Sequence, residues 1–456
     1  MKLTVSNPYD QSVVGEIDLV PWSTLNVWLD EATELHRGGA LPRWERIAIL
    51  RRLADALRSK RDELARSISL EGGKPITDAR VEADRAASSI DQCVSELSVP
   101  RRHTVPMDLT EAGSGRRSFQ IDEPIGPVVA ISAFNHPLNL IAHQVGPAVA
   151  TGCPVLVKPA DDTPLTCQLF VDLLKDAGLP DAWCRFAPCT VENAERLATD
   201  PRVAFLSFIG SAKVGWMLRT KIAPGTRIAL EHGGAAPVIL ANDADMEAAV
   251  PRLLKGAFYH AGQVCVSTQR VFVPDADLDD FIAKFRSGMK ALRLGDPLDP
   301  ETDVGPLIRR REVRRVSDWV NEATQSPESV HQSGEAPSES FYPLTIVVDP
   351  KEGSRLATQE VFGPVVSVSP YASLDHAIVK ANSLPYAFQS SIFTKDVDLM
   401  LRCAEALDAS TVMVNDHTAF RVDWMPFAGR RISGLGVGGI GHSMRDMSQT
   451  KLVVMQ

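Results

Sequence analysis

The chain has 456 residues, of which 44% are hydrophobic and 23% are charged, and its formal net charge is −9. A chain of this length exceeds what one hydrophobic core usually fills, so we expect at least two domains. The acidic balance argues against nucleic acid as a partner, because binding to phosphates requires a basic surface.

The amino-terminal residues and the cysteines indicate where the protein works. The first residues lack the apolar core of a signal peptide, and no window reaches the roughly 18 uninterrupted apolar residues of a membrane span. The seven cysteines form an odd set with no histidine or second cysteine pair at zinc spacing. We therefore predict a cytoplasmic protein with reduced thiols, no metal and no membrane partner.

Two helices are predicted after short strand-like pieces at the start of the chain. Over residues 43–69, apolar residues recur at helical spacing between arginines and acids, which predicts one long amphipathic helix. A glycine pair followed by Lys-Pro ends this helix. A second helix, rich in alanine and charge, is predicted over 77–97. We expect both helices to be structural and assign them no chemistry.

Residues 125–233 alternate between buried strands and helices. Continuous β-branched runs at 127–132 and 154–158 are separated by helical patterns, and the alternation continues to the strand that ends near residue 231. Such runs indicate a parallel sheet that is covered on both faces. The sequence therefore predicts a doubly wound, Rossmann-like α/β domain.

A second α/β unit follows this domain. Helices are predicted over 246–261 and 277–292, with a strand at 270–273 between them. The polar stretch 325–340, which contains glycine and serine, is expected to be a surface loop. The chain closes with a short apolar strand at 451–455, which a monomer would leave as an unprotected edge.

One cysteine of the second unit has a distinctive setting. Cys265 lies in a glycine-punctuated segment of small residues directly before an apolar strand, so its thiol can face a cleft while its backbone stays rigid. Glu231 follows a buried strand and precedes two glycines. A cysteine with a carboxylate indicates covalent chemistry at a carbonyl, with a base to activate thiol or water. Taken alone, Cys265 is more simply a buried small hydrophobe.

Seven short stretches, in their expected order across nearly the whole chain, resemble the aldehyde dehydrogenase superfamily. They are AFNHP at 133–137, VKPA at 157–160, FIGS at 208–211, EHGG at 231–234, GQVC at 262–265, EVFGP at 360–364 and PFAG at 426–429. Any one of these stretches is weak evidence of the resemblance, whereas seven in the expected order are very specific for the superfamily. The resemblance implies a Rossmann-like cofactor domain, a second α/β catalytic domain and a small β oligomerisation arm.

The resemblance also implies domain boundaries. The cofactor domain is expected to comprise residues 1–110 and 125–233, and the catalytic domain residues 234–432. Residues 111–124 and 433–456 correspond to the elements that bridge subunits in the family. We therefore expect a homodimer or a homotetramer.

The family mechanism gives roles to three residues. Cys265 is implied as the nucleophile that forms a thiohemiacetal and then a thioester. Asn135 and the backbone N–H of Cys265 match the donors to the oxyanion, and losing such a donor typically costs ~3 kcal/mol of barrier. Glu231 matches the base that activates water for hydrolysis. Local sequence alone also allows Asn135 to be a helix cap and Glu231 to be an ordinary carboxylate at a strand end.

The cofactor residues begin with Gly210 and Ser211. They open a helix directly after a buried strand, where free N–H groups and the positive end of the helix dipole favour a pyrophosphate. The resemblance places Lys158 at the adenosine ribose and Asp161 at an acidic position beside it. A carboxylate there accepts hydrogen bonds from a free 2′-hydroxyl and repels a 2′-phosphate. NAD is therefore predicted in preference to NADP.

The nicotinamide end of the cofactor site is assigned by resemblance. Glu360 matches the residue that holds the nicotinamide ribose, although a solvated turn is the alternative for this glutamate. Further cofactor contacts are implied for Phe362, Ser132, Phe134 and Gly233.

The sequence departs from the family pattern at several positions. Relatives usually have an apolar residue at His232, a threonine at Ile209 and a glycine at Ala428. Many also have a glycine-rich turn where residues 190–192 read TVE. These departures concern the shape of the pocket rather than the reaction.

Residues 412–427 lie where relatives line the aldehyde entrance. They look most like the branch that oxidises short aldehydes with an anionic or hydroxyl tail, in particular the phosphonoacetaldehyde dehydrogenases. The guanidinium of Arg421 suits a phosphonate, and His136 or Arg102 would add positive charge. The alternative for Arg421 is a structural pair with Asp423 or Asp416.

The sequence therefore predicts an NAD-dependent dehydrogenase that converts a small anionic aldehyde to its acid. Phosphonoacetaldehyde is the leading substrate candidate, which implies phosphonate metabolism. Lactaldehyde, a semialdehyde and glyceraldehyde 3-phosphate are the alternatives. Two other classes of function compete with this one, a non-catalytic binding protein and an esterase that uses the same thiol.

Overall fold

The computed structural model describes residues 1–99 and 104–456. Its strands are β1 (Lys2–Ser6), β2 (Val13–Asp18), β3 (Arg117–Pro124), β4 (Val128–Ile131), β5 (Val155–Lys158), β6 (Cys184–Phe186), β7 (Phe205–Ile209), β8 (Arg227–Glu231), β9 (Ala236–Leu240), β10 (Thr268–Pro274), β11 (Val330–Gln332), β12 (Thr345–Val348), β13 (Val365–Tyr371), β14 (Tyr386–Ala387), β15 (Gln389–Phe393), β16 (Thr411–Val414), β17 (Arg430–Arg431), β18 (Gly434–Leu435) and β19 (Ser448–Met455). Its α-helices are α1 (Trp22–Gly38), α2 (Arg43–Ser59), α3 (Arg61–Gly72), α4 (Ile76–Ser98), α5 (Asn139–Thr151), α6 (Pro164–Asp176), α7 (Val191–Ala198), α8 (Ala212–Arg219), α9 (Met246–Phe258), α10 (Leu278–Ala291), α11 (Arg310–Ala323), α12 (Arg355–Thr358), α13 (Leu374–Ala381), α14 (Val397–Ala406) and α15 (Ile440–Asp446).

A six-stranded sheet is built from the first half of the chain. Its order is β18-β8-β7-β4-β5-β6, and the strands are parallel except β18, which runs antiparallel to β8. Helices α2 to α6 pack on one face, and α1 and α7 pack on the other. Because both faces are covered, β5 is buried along its whole length, which explains its run of Val and Leu. The predicted Rossmann-like sheet is confirmed.

A seven-stranded sheet is built from the second half. Its order is β11-β12-β13-β10-β9-β15-β16, with all pairs parallel except β11 and β12. Strand β11 lies inside the stretch 325–340, so the prediction of a loop there is wrong for three residues. A short edge strand needs only backbone hydrogen bonds to its neighbour, so its polar side chains give no strand pattern.

Strands β3 and β19 form a separate two-stranded sheet. They pair antiparallel over eight residues, from Ser448 opposite Pro124 to Met455 opposite Arg117. The strand predicted at 451–455 lies within β19, which begins earlier, at Ser448. Its apolar side chains Leu452, Val454 and Met455 are nearly half exposed in the single chain.

The long helix predicted over 43–69 is two helices, α2 and α3. The break lies at Lys60, whose φ of −101° and ψ of 18° end one helix and begin the next. The change of direction lets both helices bury apolar residues, among them Leu53 in α2 and Ile68 in α3. The apolar periodicity was read correctly, but periodicity alone does not reveal a change of axis.

Two further features concern the whole chain. Each of the seven cysteines is a free thiol. Among the helices within residues 1–99 and 104–456, none combines the length and the apolar character needed to cross a bilayer.

Candidate active site

The segment before Cys265 is shaped by left-handed backbone. Helix α9 ends at Phe258, short of the predicted end at residue 261, because His260 and Ala261 adopt φ values of 49° and 55°. Gly262 also has a positive φ, and a Cβ there would lie 2.2 Å from the carbonyl oxygen of Gly363. Only glycine fits this approach. The strained turn places Cys265 just before the start of β10. Backbone strain of this kind is typical of functional sites.

Glu231 is the last residue of β8. It pairs with Gly434 of β18, and a Cβ at Gly438 would lie 2.5 Å from its Oε1 atom. Burial raises the pKa of the Glu231 carboxyl, and the Arg421 guanidinium opposes this shift. A carboxyl of this kind is closer to neutrality than an exposed one, which suits a base.

Asn135 lies in the loop that follows β4. Its Nδ2 atom donates a hydrogen bond to the carbonyl oxygen of Gln263 at 2.9 Å, and Gln263 Oε1 in turn accepts from the Ile308 N–H at 2.9 Å. One N–H of the amide is thereby fixed, and the second is left for another acceptor.

The alternative role of Asn135 as a helix cap does not hold. Helix α5 begins later, at Asn139, and its cap is supplied from α4. Glu82 Oε1 accepts hydrogen bonds from the N–H groups of Leu138 at 2.9 Å and Asn139 at 3.1 Å. The other oxygen of Glu82 pairs with Lys74, and both side chains are fully buried. The sequence predicted no chemical role for α4, yet this helix fixes the end of the loop that carries Asn135.

A cavity of about 870 Å³ is lined by strand ends of the six-stranded sheet and by segments that connect the strands of the seven-stranded sheet, such as those that carry Cys265 and Glu360. Four of the lining residues lie at the carboxyl ends of neighbouring parallel strands, where ligands of such sheets bind. The predicted site residues that line the cavity are Cys265, Glu231, Asn135, Ser132, Phe134, His136, Lys158, Asp161, Gly210, Ser211, Gly233, Glu360, Phe362 and Arg421. Arg102, the remaining one, lies outside the described residues.

The thiol of Cys265 is neutral in this environment. Burial, reinforced by the nearby Glu360 carboxylate, raises the pKa of the Cys265 thiol to about 12. Arg421 acts in the opposite direction and Glu231 adds to the rise. The thiol therefore needs a base or a further positive charge before it can act as a nucleophile.

Glu360 is half-buried in the cavity wall, with its Oε1 atom fully buried, and is not a solvated turn residue. Its Oε1 atom has no hydrogen-bond partner among the described residues. A Cβ on Gly233 would lie 1.7 Å from this oxygen, so the approach requires glycine. Burial raises the pKa of Glu360 to about 8, against a hydrogen bond from the Gly234 N–H. Arg315 Nη2 donates a hydrogen bond to the carbonyl oxygen of Val361 at 2.8 Å, which fixes the loop directly after Glu360.

The far end of the cavity carries charged pairs. The Lys158 ammonium pairs with Asp161, and Arg309 pairs with Asp162 through both carboxylate oxygens. Ser211 is the N-cap of α8, and its side chain makes no capping hydrogen bond. The N–H groups of this first turn are thus not capped by the side chain of Ser211.

His232 has a role in the fold that the sequence did not reveal. Its Nδ1 atom lies 2.8 Å from the carbonyl oxygen of Gly210, and its ring packs on Phe208 and Trp216. A Cβ at Gly215 would lie 2.0 Å from the ring. The histidine therefore ties the strand that ends at Glu231 to the turn before α8. An apolar side chain at position 232 could not make this hydrogen bond to the half-buried Gly210.

Arg421 forms neither of its two alternative structural pairs. Among residues 1–99 and 104–456, no carboxylate lies within salt-bridge distance of its guanidinium. Asp423 instead bonds Arg85, with Arg85 Nη2 at 2.7 Å. The Arg421 guanidinium lies over the Phe427 ring, 3.6 Å from its centroid, and its buried Nε atom has no partner among the described residues. Burial lowers the pKa of Arg421, an effect that Glu231 opposes.

His136 is a buried neighbour of the same region. Its Nε2 atom lies 3.3 Å from the Tyr259 hydroxyl. Burial, with Lys74 and Arg85 nearby, lowers the pKa of His136 well below its usual range. The ring is neutral near pH 7, so it offers hydrogen bonding rather than charge.

The comparison with protein families decides the family to which the chain belongs. The model of the aldehyde dehydrogenase family matches residues 1–453. The chain belongs to the aldehyde dehydrogenase family. It is an oxidoreductase that acts on small aldehydes with a nicotinamide cofactor.

Individual relatives of this aldehyde dehydrogenase cover nearly its whole length. The chain is 33% identical over 457 residues to a 3-sulfolactaldehyde dehydrogenase of Priestia aryabhattai, covering 100% of this chain and 95% of the relative. It is 34% identical over 459 residues to a lactaldehyde dehydrogenase of Methanocaldococcus jannaschii, covering 99% and 97%.

Two solved structures of aldehyde dehydrogenases are also similar. The glyceraldehyde-3-phosphate dehydrogenase of Methanocaldococcus jannaschii complexed with NADP gives a TM-score of 0.94 at 33% identity, covering 99% of this chain and 98% of that chain. Aldehyde dehydrogenase 21 of Physcomitrella patens, in complex with the reaction product succinate, gives 0.95 at 31% identity, covering 100% and 95%.

The residues of this aldehyde dehydrogenase fit a nicotinamide dinucleotide. Two buried oxygens in the cavity, Ser132 Oγ and Glu360 Oε1, have no partner among the described residues, and ribose hydroxyls would satisfy them. The first turn of α8 offers N–H groups and a positive dipole end to a pyrophosphate. Phe134 and Phe362, 5.8 Å apart and edge to face, give the cavity an aromatic wall.

Proposed function

We propose that this enzyme oxidises a small aldehyde with an anionic tail to the carboxylic acid. The observation that carries the proposal is the guanidinium of Arg421, which lines the same cavity as Cys265 and Glu231 and whose Nε atom is buried without a partner among the described residues. Each other lysine or arginine that lines the cavity has an acidic partner. The pairs are Arg85–Asp423, Lys158–Asp161, Lys255–Asp78, Arg309–Asp162 and Arg315–Glu312. A substrate anion would supply the counter-charge that Arg421 lacks among the described residues.

The relatives support an anionic tail. A sulfonate is part of 3-sulfolactaldehyde, a phosphate of glyceraldehyde 3-phosphate, and a carboxylate of succinate. Phosphonoacetaldehyde, which we hypothesise from residues 412–427, shares this chemistry and is one member of the class. Lactaldehyde, the substrate in the name of another relative, carries no charge and is the alternative.

The first half of the proposed reaction uses Cys265 and Asn135. The Cys265 thiol first releases its proton to water, and the thiolate then attacks the carbonyl carbon, so that the negative charge moves to the carbonyl oxygen. The free N–H of the Asn135 amide and the backbone N–H of Cys265 stabilise that oxyanion. When bound, the nicotinamide supplies the acceptor for the hydride that the substrate carbon loses. A thioester then remains on Cys265.

The second half uses Glu231. Its carboxylate takes a proton from a water molecule, and the hydroxide attacks the thioester carbon. The bond between carbon and sulfur breaks, which releases the acid and returns the thiolate of Cys265. His136 and Arg102 are proposed, with Arg421, as neighbours of the substrate tail.

For the cofactor we propose a preference for NAD over NADP. Lys158, Gly210, Ser211 and Glu360 would hold the dinucleotide, and Asp161 would accept from a free 2′-hydroxyl. The pairing of Lys158 with Asp161 leaves no net positive charge there for a 2′-phosphate. The similar glyceraldehyde-3-phosphate dehydrogenase structure is complexed with NADP and leans the other way, so the substrate assay includes both cofactors.

We also propose a homodimer or homotetramer. The six-stranded sheet would belong to the cofactor domain, the seven-stranded sheet to the catalytic domain, and β3 with β19 to the subunit bridge. The half-exposed apolar side chains of β19 support this arrangement, because an uncovered apolar edge strand invites pairing. Light scattering at micromolar concentration is expected to give a mass of two or four chains, and the mass of one chain would contradict the proposal.

The proposed function is tested with substrates that differ in one group. 3-Sulfolactaldehyde differs from lactaldehyde only by its sulfonate, so the two form a matched pair. We expect Arg421→Met to lower kcat/KM for 3-sulfolactaldehyde by about 10- to 100-fold, since a charged hydrogen bond contributes roughly 1.5–3 kcal/mol. For lactaldehyde we expect less than about a threefold change. Phosphonoacetaldehyde, succinic semialdehyde and glyceraldehyde 3-phosphate complete the panel, each assayed with NAD and NADP.

The control variant is Arg402→Met, which removes an exposed arginine of α14 that pairs with Asp375. It is expected to leave both rates unchanged. A wild-type enzyme that prefers lactaldehyde or a long uncharged aldehyde would overturn the proposal. Equal losses on both members of the pair in Arg421→Met would do so as well.

A further inference from the structure

We infer that His143 and Asp423 are positioning residues that orient Arg421 toward the anionic tail of the substrate. The inference rests on the proposed function, because it concerns the recognition of that tail. Neither residue lines the cavity, and both are buried behind it. They act through Arg421 and not on the reacting atoms.

The network begins at Asp423, which is held by three donors. Its Oδ1 atom accepts from Arg85 Nη2 at 2.7 Å, from Asn139 Nδ2 at 3.0 Å and from His143 Nε2 at 2.9 Å. Arg85 Nε reaches the second oxygen at 3.2 Å. These donors come from α4 and α5, so the carboxylate is fixed by two helices.

The contacts of Asp423 determine the tautomer of His143. Burial opposes ionisation of Asp423, but the hydrogen bond from His143 and the charge of Arg85 hold the pKa of its carboxyl well below the usual range. An ionised carboxylate only accepts hydrogen bonds, so the proton of the imidazole must lie on Nε2. Burial, together with the charge of Arg421, lowers the pKa of His143 to about 4, so the ring is neutral.

The neutral ring then presents a lone pair to Arg421. The Nδ1 atom of His143 lies 3.5 Å from Arg421 Nη2. A carboxylate in this place would also orient the guanidinium, but it would cancel its charge. A neutral acceptor orients the guanidinium and leaves the whole positive charge for the ligand.

A second contact completes the arrangement. The guanidinium lies flat enough on Phe427 to bring its central carbon within 3.6 Å of the ring centroid, which restricts it from the other side. The Nε atom remains buried without a partner among the described residues. One side of Arg421 is thus used for positioning, and the part of this half-buried side chain that lines the cavity is left for the substrate.

The test separates the two ring nitrogens of His143. In His143→Gln the amide reaches the place of Nε2, so the bond to Asp423 is kept and the acceptor toward Arg421 is lost. In His143→Asn the amide occupies the place of Nδ1, so the acceptor is kept. We expect His143→Gln to raise KM for 3-sulfolactaldehyde about tenfold, with kcat and the kinetics of lactaldehyde within about twofold of the wild type. His143→Asn is expected to show the smaller defect.

Four outcomes decide between the inference and the proposed function. Equal losses on both aldehydes in His143→Gln, or no change on either, would overturn the positioning role. If Arg421→Met loses activity selectively on 3-sulfolactaldehyde and His143→Gln does not, only the positioning role of His143 is overturned. No selective loss in Arg421→Met removes the proposed function itself. If His143 acts through Arg421, the double variant His143→Gln/Arg421→Met behaves like Arg421→Met alone.

Thermal unfolding of each variant identifies a defect of folding. If His143→Gln does not fold, His143→Asn and its double variant with Arg421→Met carry the test. His143→Asn keeps the acceptor but loses the bond to Asp423. A rise in KM for 3-sulfolactaldehyde that disappears in the Arg421→Met background supports the positioning role, and a rise that persists there contradicts it.

Discussion

Replacement of Cys265 by serine is expected to abolish aldehyde oxidation and to leave cofactor binding intact. A serine hydroxyl is a far weaker nucleophile than a thiolate, and no other cysteine of the chain lines the cavity among the described residues. We expect kcat to fall by at least about 10³-fold, because removal of a covalent nucleophile disables the whole catalytic unit. The dissociation constant of NADH, measured by fluorescence titration, should stay within about threefold, since the substitution changes one atom outside the proposed ribose and pyrophosphate contacts.

The matched control for this variant is Cys403→Ser. Cys403 is also a free thiol, but it is buried against α13 and β15 in a different apolar cluster. This control should retain full activity. Mass spectrometry of the wild-type enzyme, quenched during turnover, should find the substrate adduct on Cys265. An adduct on another side chain, or oxidation at near wild-type rate by Cys265→Ser, would contradict the mechanism.

Replacement of Glu231 by glutamine is expected to block hydrolysis and to spare the first turnover. A neutral amide cannot take a proton from water, so the thioester on Cys265 persists. The steady-state rate should fall by roughly 10²- to 10⁴-fold, the usual contribution of a general base. Rapid mixing should show a burst of NADH equal to the number of active sites, and the acyl group should be detectable on Cys265.

The pH dependence offers a second measurement on Glu231. A base works only when it is deprotonated, and burial raises the pKa of Glu231. The rate of hydrolysis should therefore rise with pH as Glu231 loses its proton. On acidification, the rate should begin to fall at a higher pH than it would if the base were an exposed glutamate. Glu231→Gln should lose this dependence, and Glu405→Gln on the exposed face of α14 should keep it. Loss of the burst together with the steady-state rate would mean that Glu231 acts on the thiol instead.

Several proposed site residues could be predicted from the sequence because they lie at the carboxyl ends of buried parallel strands. Glu231 ends a buried parallel strand, Ser132 and Gly210 follow two others, and the carboxyl ends of such strands meet at one edge. Cys265 was singled out by its place between a glycine and an apolar strand, but only the family motifs made it the nucleophile, because taken alone it is more simply a buried small hydrophobe. All of them line one cavity. The reaction class follows from these residues together with the family motifs.

The supporting contacts were not predictable in the same way. Asp423 meets Arg85 across 338 positions of sequence, and Glu82 caps α5 across 56. Charged residues on helices are usually solvated, so nothing local marks Arg85. Glu82 does carry a signal, because it falls on the alanine-rich face of α4 beside Ala79 and Ala83. A carboxylate on a buried face requires a partner, which here is Lys74.

The path of the final 40 or so residues has a consequence for biosynthesis. Strand β18 closes the edge of the six-stranded sheet beside Glu231, and the same region of the chain supplies Arg421 and Asp423. On the ribosome, most of the scaffold emerges before this segment does, so the cleft stays incomplete until β18 has been made. Non-local closures of this kind form late and slowly. The thiol of Cys265 is therefore made, and is exposed in the nascent chain, before Arg421 and Asp423, which would select the substrate.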